Sequence, residues 1–73
     1  MNELIGWECS CVFNLPATEW PIAGYPAWVV VLSVDGNMIK LASKWGNVQE
    51  TAIWCSTSII KTIQKTNNRY TGA

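Results

Sequence analysis

Residues 27–41 read A-W-V-V-V-L-S-V-D-G-N-M-I-K-L and contain the strongest structural signal in the chain. Two runs of β-branched and large apolar residues flank Asp35 and Gly36, and Asp-Gly between two such runs is typical of a β-hairpin. The reason is steric, because a two-residue hairpin turn requires positive φ, which Gly and Asp adopt at little cost. The stretch therefore predicts the central hairpin of a small β domain.

The register of this hairpin decides which side chains face the core. If Asp35 and Gly36 form a two-residue loop, which we favour, one face carries four apolar residues: Val30, Leu32, Ile39 and Leu41. A three-residue loop would instead pair Val31 with Ile39 and Val29 with Leu41. In either register residues 29–32 are apolar on both faces, as expected of a strand that is buried on both sides or faces a partner.

Two further segments alternate with the period of a strand. Residues 7–13, W-E-C-S-C-V-F, place aromatic and thiol side chains on the core face: Trp7, Cys9, Cys11 and Phe13. Residues 48–55 alternate more weakly. Between the first strand and the hairpin, residues 14–26 contain three prolines and a glycine, which exclude a helix interior and a central strand. Their apolar anchors predict an ordered loop that folds back on the domain.

The C-terminal part leaves one assignment open. Residues 59–63, I-I-K-T-I, fit a helix with Ser56 or Thr57 as N-cap, but four of the five are β-branched and favour a strand. We interpret the segment as a short strand after a single tight helical turn. Residues 65–73 are polar and predict a frayed tail, which leaves residues 1–64 as one small domain.

This arrangement of five short strands, one long loop and several tight turns resembles the SH3-like small β-barrel. The stretch I-W-C-S-T-S-I-I-K, residues 53–61, lies where that fold commonly has a 3₁₀ turn between its last two strands. The resemblance covers most of residues 7–64 as a pattern of lengths and turns, and it implies an all-β, five-stranded SH3-like barrel. The long loop lacks the acidic cluster of the signalling SH3 family, and the first strand lacks its Ala-Leu-Tyr-like motif. The resemblance therefore implies no site residues.

Composition and chemistry argue against an enzyme. The 73 residues include no His, which excludes His-based acid–base catalysis and His metal ligands. The acids show no paired spacing, and no glycine-rich phosphate loop is present. Cys9, Cys11 and Cys55 are the only candidate metal set, but zinc favours four ligands and a turn. We expect core thiols, with a disulfide from Cys55 or a metal site as weaker alternatives, and we expect no cofactor.

The same composition bears on location. An odd number of cysteines without a signal-peptide pattern indicates a reducing compartment, so we expect a cytoplasmic protein. No apolar stretch approaches the roughly 20 residues that span a bilayer, and we expect no membrane partner. A chain that begins with Met suggests a complete small gene product, of a kind that occurs in phages and mobile elements by analogy only.

Five tryptophans exceed what a core of this size readily hides, which predicts exposed aromatic anchors or an oligomer interface. The first hypothesis is a protein-interaction module, a regulator or inhibitor that occludes a partner through four aromatics: Trp20, Tyr25, Trp45 and Trp54. The alternative is a nucleic-acid-binding barrel that stacks bases on Trp28, Trp45 or Trp54. Its phosphate contacts would come from five cations: Lys40, Lys44, Lys61, Lys65 and Arg69. Zero net charge weakens that alternative, and a homo-oligomer is compatible with both.

Overall fold

A five-stranded antiparallel sheet forms the body of the protein, as seen in a computed structural model that describes residues 1–70. The strands are β1 (Trp7–Phe13), β2 (Ala27–Asp35), β3 (Met38–Ser43), β4 (Ile53–Ser56) and β5 (Ile60–Arg69). Their order across the sheet is β4-β3-β2-β1-β5, so that β4 and β5 lie at opposite edges. The prediction of an all-β protein is confirmed.

Residues 1–70 also contain four short helical segments, one before β1 and three between strands. The α-helix α1 (Val48–Thr51) lies between β3 and β4, and 3₁₀ turns occupy Asn2–Leu4, Ala17–Glu19 and Thr57–Ile59. The last of these turns directly precedes β5, which confirms the interpretation of a strand after one tight helical turn. The second lies in the predicted long loop between β1 and β2.

The central hairpin is present, but its loop lies one residue further along than predicted. Asp35 pairs with Met38, and Gly36 and Asn37 form the two-residue loop. Gly36 has a φ of +59° and is the only loop residue with positive φ, which matches a type II′ turn with Gly at its first central position. Because this turn needs positive φ at only one position, Asp35 remains in the strand.

The shifted loop and a bulge change which residues of β2 face the core. Val31 pairs with Leu41 and Val34 with Ile39, with a register shift near residue 32. Val29 and Val31 therefore pack with Ile39 and Leu41 in the core, in place of the predicted Val30 and Leu32. The three-residue alternative groups these residues correctly, although its pairs are also wrong.

The hydrophobic core lies on one face of the sheet, which we call the inner face. Cys9, Cys11 and Phe13 of β1 are buried there, as predicted. Two residues from outside the strands, Leu4 and Ile22, close this core at its margins. The prediction for β1 succeeded because the alternation, broken only at Val12, leaves one register that buries Cys9, Cys11 and Phe13 together.

Two predictions for the second half of the chain are wrong. Residues 48–51 form α1 instead of a strand, because the Asn47 side chain accepts hydrogen bonds from the amides of Gln49 and Glu50 at 2.9 and 3.1 Å. Residues 65–69 belong to β5 instead of a frayed tail, because their backbone pairs with β1 as far as Arg69 opposite Trp7. Residues 71–73 of the predicted tail lie outside the described residues.

Candidate partner-binding surface

The outer face of the sheet, opposite the core, carries exposed tryptophans. Ala27 and Val29 are buried in the core, so the intervening Trp28 of β2 points outward. On β3, buried Leu41 separates Lys40 from Ala42, and both of these residues face outward. We call this surface the tryptophan face and define it by Trp28, Lys40, Lys44, Trp45 and Trp54.

Register places Trp54 beside a lysine. Trp54 of β4 lies directly opposite Lys40 of β3, and Met38 lies opposite Ser56 one row nearer the hairpin turn. Trp54 is 47 % exposed, and Met38 is also exposed. Directly opposite side chains on antiparallel strands have Cβ atoms about 5 Å apart, so Lys40 and Trp54 are neighbours on the outer face.

An ion pair organises the other end of the tryptophan face. The Lys44 backbone amide donates to the Trp28 carbonyl at 2.9 Å, which extends the β2–β3 ladder beyond Ser43. The Lys44 ammonium lies 3.1 Å from a carboxylate oxygen of Glu8 and 4.9 Å from the ring centroid of Trp45. Glu8 and Trp45 thereby contact the same ammonium, and the backbone of Trp28 pairs with that of Lys44.

The position of Trp45 depends on the turn before α1. The Trp45 amide donates to the Ser43 hydroxyl at 3.2 Å, and the Ser43 amide donates to the Thr51 hydroxyl at 3.0 Å. The Thr51 hydroxyl in turn donates to the Asn47 carbonyl at 2.8 Å. This network holds the turn against β3, while the Trp45 side chain remains 74 % exposed.

Small buried residues lie between the tryptophans. Val30 and Ala42 are cross-strand partners on the outer face and are almost completely buried, although they do not belong to the core cluster. Same-face neighbours along a strand are about 6.6 Å apart and adjacent strands about 4.8 Å. Trp28 and Trp54 are therefore separated by two rows and two strands, or roughly 16 Å. A tryptophan face of this width fits within a standard protein interface.

A second aromatic cluster lies in the loop before β2. The Trp20 ring stacks on Tyr25, with centroids 5.1 Å apart, and meets Phe13 edge-on at 5.3 Å. The Trp20 indole nitrogen donates to the Leu15 carbonyl at 2.8 Å. Trp20 is consequently half-buried against the core, whereas Tyr25 is 80 % exposed beside a groove that Lys61 also lines.

The four predicted partner-binding aromatics thus lie in two places. Trp45 and Trp54 belong to the tryptophan face, whereas Trp20 and Tyr25 stack in the loop. We expected Trp20 to be exposed, but it is half-buried because it packs on Phe13. Trp28 was missing from the predicted protein-binding set, although it is 37 % exposed. The sequence does not distinguish it from its apolar neighbours, and its outward direction is identified only by the burial of Ala27 and Val29 in the structure.

The five predicted phosphate-binding cations do not form one patch. Lys40 and Lys44 lie on the tryptophan face, and Lys61 lies beside the loop groove. Lys65 and Arg69 of β5 flank the half-buried Trp7, with their charged groups 4.5 and 5.1 Å from its ring. Lys44 is also already paired with Glu8.

The three thiols are buried, as predicted. Burial raises the pKa of Cys9 to about 11 and that of Cys11 to about 12, and it also raises the pKa of Cys55. All three are free cysteines, so the alternative of a disulfide from Cys55 is not realised. Within residues 1–70 no group of three or more metal-ligating side chains is brought together. No helix in that range is long and apolar enough to cross a membrane.

Comparisons of the chain with protein-family models, with curated proteins and with solved structures find no match.

Proposed function

We propose that this protein is a non-catalytic interaction module that binds another protein through the tryptophan face and thereby occludes a surface of that partner. The observation that carries the proposal is the exposure of Trp28 and Trp54 on the outer face of the sheet and of Trp45 in the adjoining turn, beside Lys44. Buried Trp side chains dominate the energetics of many protein interfaces. A single partner that covers the whole face would bury all three tryptophans at once.

The proposal includes an SH3-like barrel as the fold. Its support is the 3₁₀ turn Thr57–Ile59 between β4 and β5, together with the long loop between β1 and β2. Proteins with barrels of this size carry function on surfaces and loops that the scaffold holds in place. The Ser43, Asn47 and Thr51 network provides such support for Trp45.

A partner that covers the tryptophan face would remove a large aromatic surface from water. A large aromatic side chain buries roughly 150–250 Å² when fully covered, and the three tryptophans already expose part of their surface. Lys40 and the Lys44–Glu8 pair form a polar surround of the kind that excludes water around an aromatic hot spot. Because the net charge of the protein is zero, it sets no preference for an acidic or a basic partner.

Nucleic acid is the second candidate ligand for the same face. Lys40 beside Trp54 and Lys44 over Trp45 favour it, because single strands bind by stacking on aromatics next to cations. The ion pair of Lys44 with Glu8 argues against nucleic acid, because it neutralises one of the two cations on this face. Among the described residues, Lys40 is then the cation of the tryptophan face that forms no ion pair. We therefore favour a protein partner.

The test compares two variants in partner capture by chemical cross-linking, followed by affinity measurement with the purified partner. The double variant Trp45→Ala and Trp54→Ala should weaken binding at least about a hundredfold, since each hot-spot truncation costs about 2 kcal/mol. Tyr25→Ala, which removes an equally exposed aromatic elsewhere, should retain the affinity. Unchanged affinity of the double variant would contradict the proposal, and salt-sensitive capture of an oligonucleotide would favour the second candidate.

A further inference from the structure

The edge strand β5 is the longest strand of the sheet and is paired on one side only. It runs over ten residues, Ile60–Arg69, and pairs with β1. Within residues 1–70 no strand pairs with its other edge. Most of its residues are exposed. An edge of this length presents a row of backbone donors and acceptors to which another strand can pair.

The charge on this edge has a single sign. Lys61, Lys65 and Arg69 are the only charged residues of β5. The ion pairs formed among residues 1–70 are Lys44–Glu8 and that of the N-terminal ammonium with Glu3. None of the three cations of β5 therefore forms an ion pair with a carboxylate within that range. The other edge, β4, differs in having four residues and no charge.

Two of these cations are held in defined positions. The ammonium of Lys65 lies 4.5 Å and the guanidinium of Arg69 lies 5.1 Å from the ring centroid of Trp7. Cation–π contacts restrict both side chains beside the sheet. Cross-strand partners on an added strand would have Cβ atoms about 5 Å from those of Lys65 and Arg69. That separation suits carboxylate side chains on the incoming strand.

We infer that β5 receives an extended acidic segment of a partner protein as an additional strand. Backbone hydrogen bonds to the free edge provide affinity, and carboxylates beside Lys65 and Arg69 provide specificity. Self-pairing with a second copy is disfavoured in the antiparallel register centred on Lys65, because that register would place Lys65 opposite Lys65 and Lys61 opposite Arg69. Like charges directly opposite each other destabilise a strand pair. This inference concerns a different surface and holds whether or not the tryptophan face binds a partner.

The experiment uses the full chain and three synthetic peptides as long as β5. The first alternates Thr and Val with Glu at every fourth position, the second replaces each Glu by Gln, and the third carries N-methyl groups on the backbone of the first. The Glu peptide should bind at least about tenfold more tightly than either of the others, and higher salt should weaken it. Bound peptide should slow hydrogen exchange at amides of residues 60–69.

Matched variants locate the effect on the protein. Lys65→Gln with Arg69→Gln should remove the preference for Glu over Gln, whereas Lys40→Gln on β3 should preserve it. The N-methylated peptide keeps the test valid if the double variant is destabilised, since it leaves the protein unchanged. The inference is overturned if the Gln peptide or the N-methylated peptide binds as tightly as the Glu peptide. It is equally overturned if a second copy or an oligonucleotide protects β5 in place of the acidic peptide.

Discussion

The turn between β2 and β3 depends on one glycine. Gly36 has a φ of +59°, and no heavy atom lies within 4 Å of the position that a Cβ would occupy. An alanine side chain would therefore fit in the available space, but the positive φ would be unfavourable for it. Gly36→Ala should lower the free energy of unfolding by about 1 kcal/mol, measured from the midpoint of urea denaturation.

Asn37 provides the control for that substitution. It is the second loop residue and does not have positive φ. Asn37→Ala should change the free energy of unfolding by less than about 0.5 kcal/mol. Equal effects of the two variants would contradict the turn geometry described here.

The buried thiols should be unreactive in the folded protein. Burial raises the pKa of Cys9 to about 11 and that of Cys11 to about 12 from an ordinary 9.0. Since the thiolate is the reactive form, a disulfide reagent at about pH 8 should label native protein very slowly and denatured protein quickly. Rapid labelling of the native protein would show that the β1 thiols are accessible.

The same raised pKa values predict that the free energy of unfolding falls at alkaline pH. The folded state favours the neutral thiols of Cys9 and Cys11, so their contribution to stability is complete below the unfolded pKa of 9.0. It is lost as the pH rises from there through about 11 to about 12. Urea midpoints measured across that interval should fall, and they should fall less in a Cys9→Ala variant.

At the scale of elements, α1 depends on its cap. The Asn47 side chain accepts from the amides of Gln49 and Glu50, and the helix has only four residues. Asn47→Ala should lower the free energy of unfolding by about 1 kcal/mol, as measured by chemical denaturation. Asn67→Ala on exposed β5 is the matched control and should have little effect. A smaller loss at Asn47 than at Asn67 would contradict the capping role.

Most elements encoded by local sequence could be predicted, except α1 with its local Asn47 cap, and those that depend on distant partners could not. The hairpin, the inner face of β1 and the 3₁₀ turn before β5 follow from patterns within a few residues. The polar second half of β5 lacks such a pattern, and its strand conformation comes from pairing with β1. α1 is stabilised by Asn47 nearby, but also by the Thr51 hydroxyl, which accepts from Ser43 eight residues away.

The same distinction applies to the candidate surface. Trp45 follows Lys44 in a turn, and its exposure could be predicted from that position. The half-burial of Trp20 could not, because it arises from contacts with Phe13 and the Leu15 carbonyl after the loop folds back. The outward direction of Trp28 depends on the burial of Ala27 and Val29, which the apolar composition of β2 conceals.

In the molecule as a whole, some tryptophans stabilise the fold and others are exposed on the proposed binding surface. Trp20→Ala removes a ring packed on the core and should lower the free energy of unfolding by about 3 kcal/mol. Trp45→Ala removes an exposed ring and its contact with Lys44, and it should cost less than about 1 kcal/mol. Thermal or urea denaturation of both variants measures the difference, and a larger loss at Trp45 would contradict it.

The most direct test of the tryptophan face is an NMR titration of the five indole N–H signals with the purified partner. We expect the signals of Trp28, Trp45 and Trp54 to shift or broaden. Those of Trp7, under Lys65 and Arg69, and of Trp20, bonded to Leu15, should stay in place. Binding that shifts the Trp20 signal and leaves the Trp45 and Trp54 signals unchanged would contradict binding at the tryptophan face and would place the partner site in the loop.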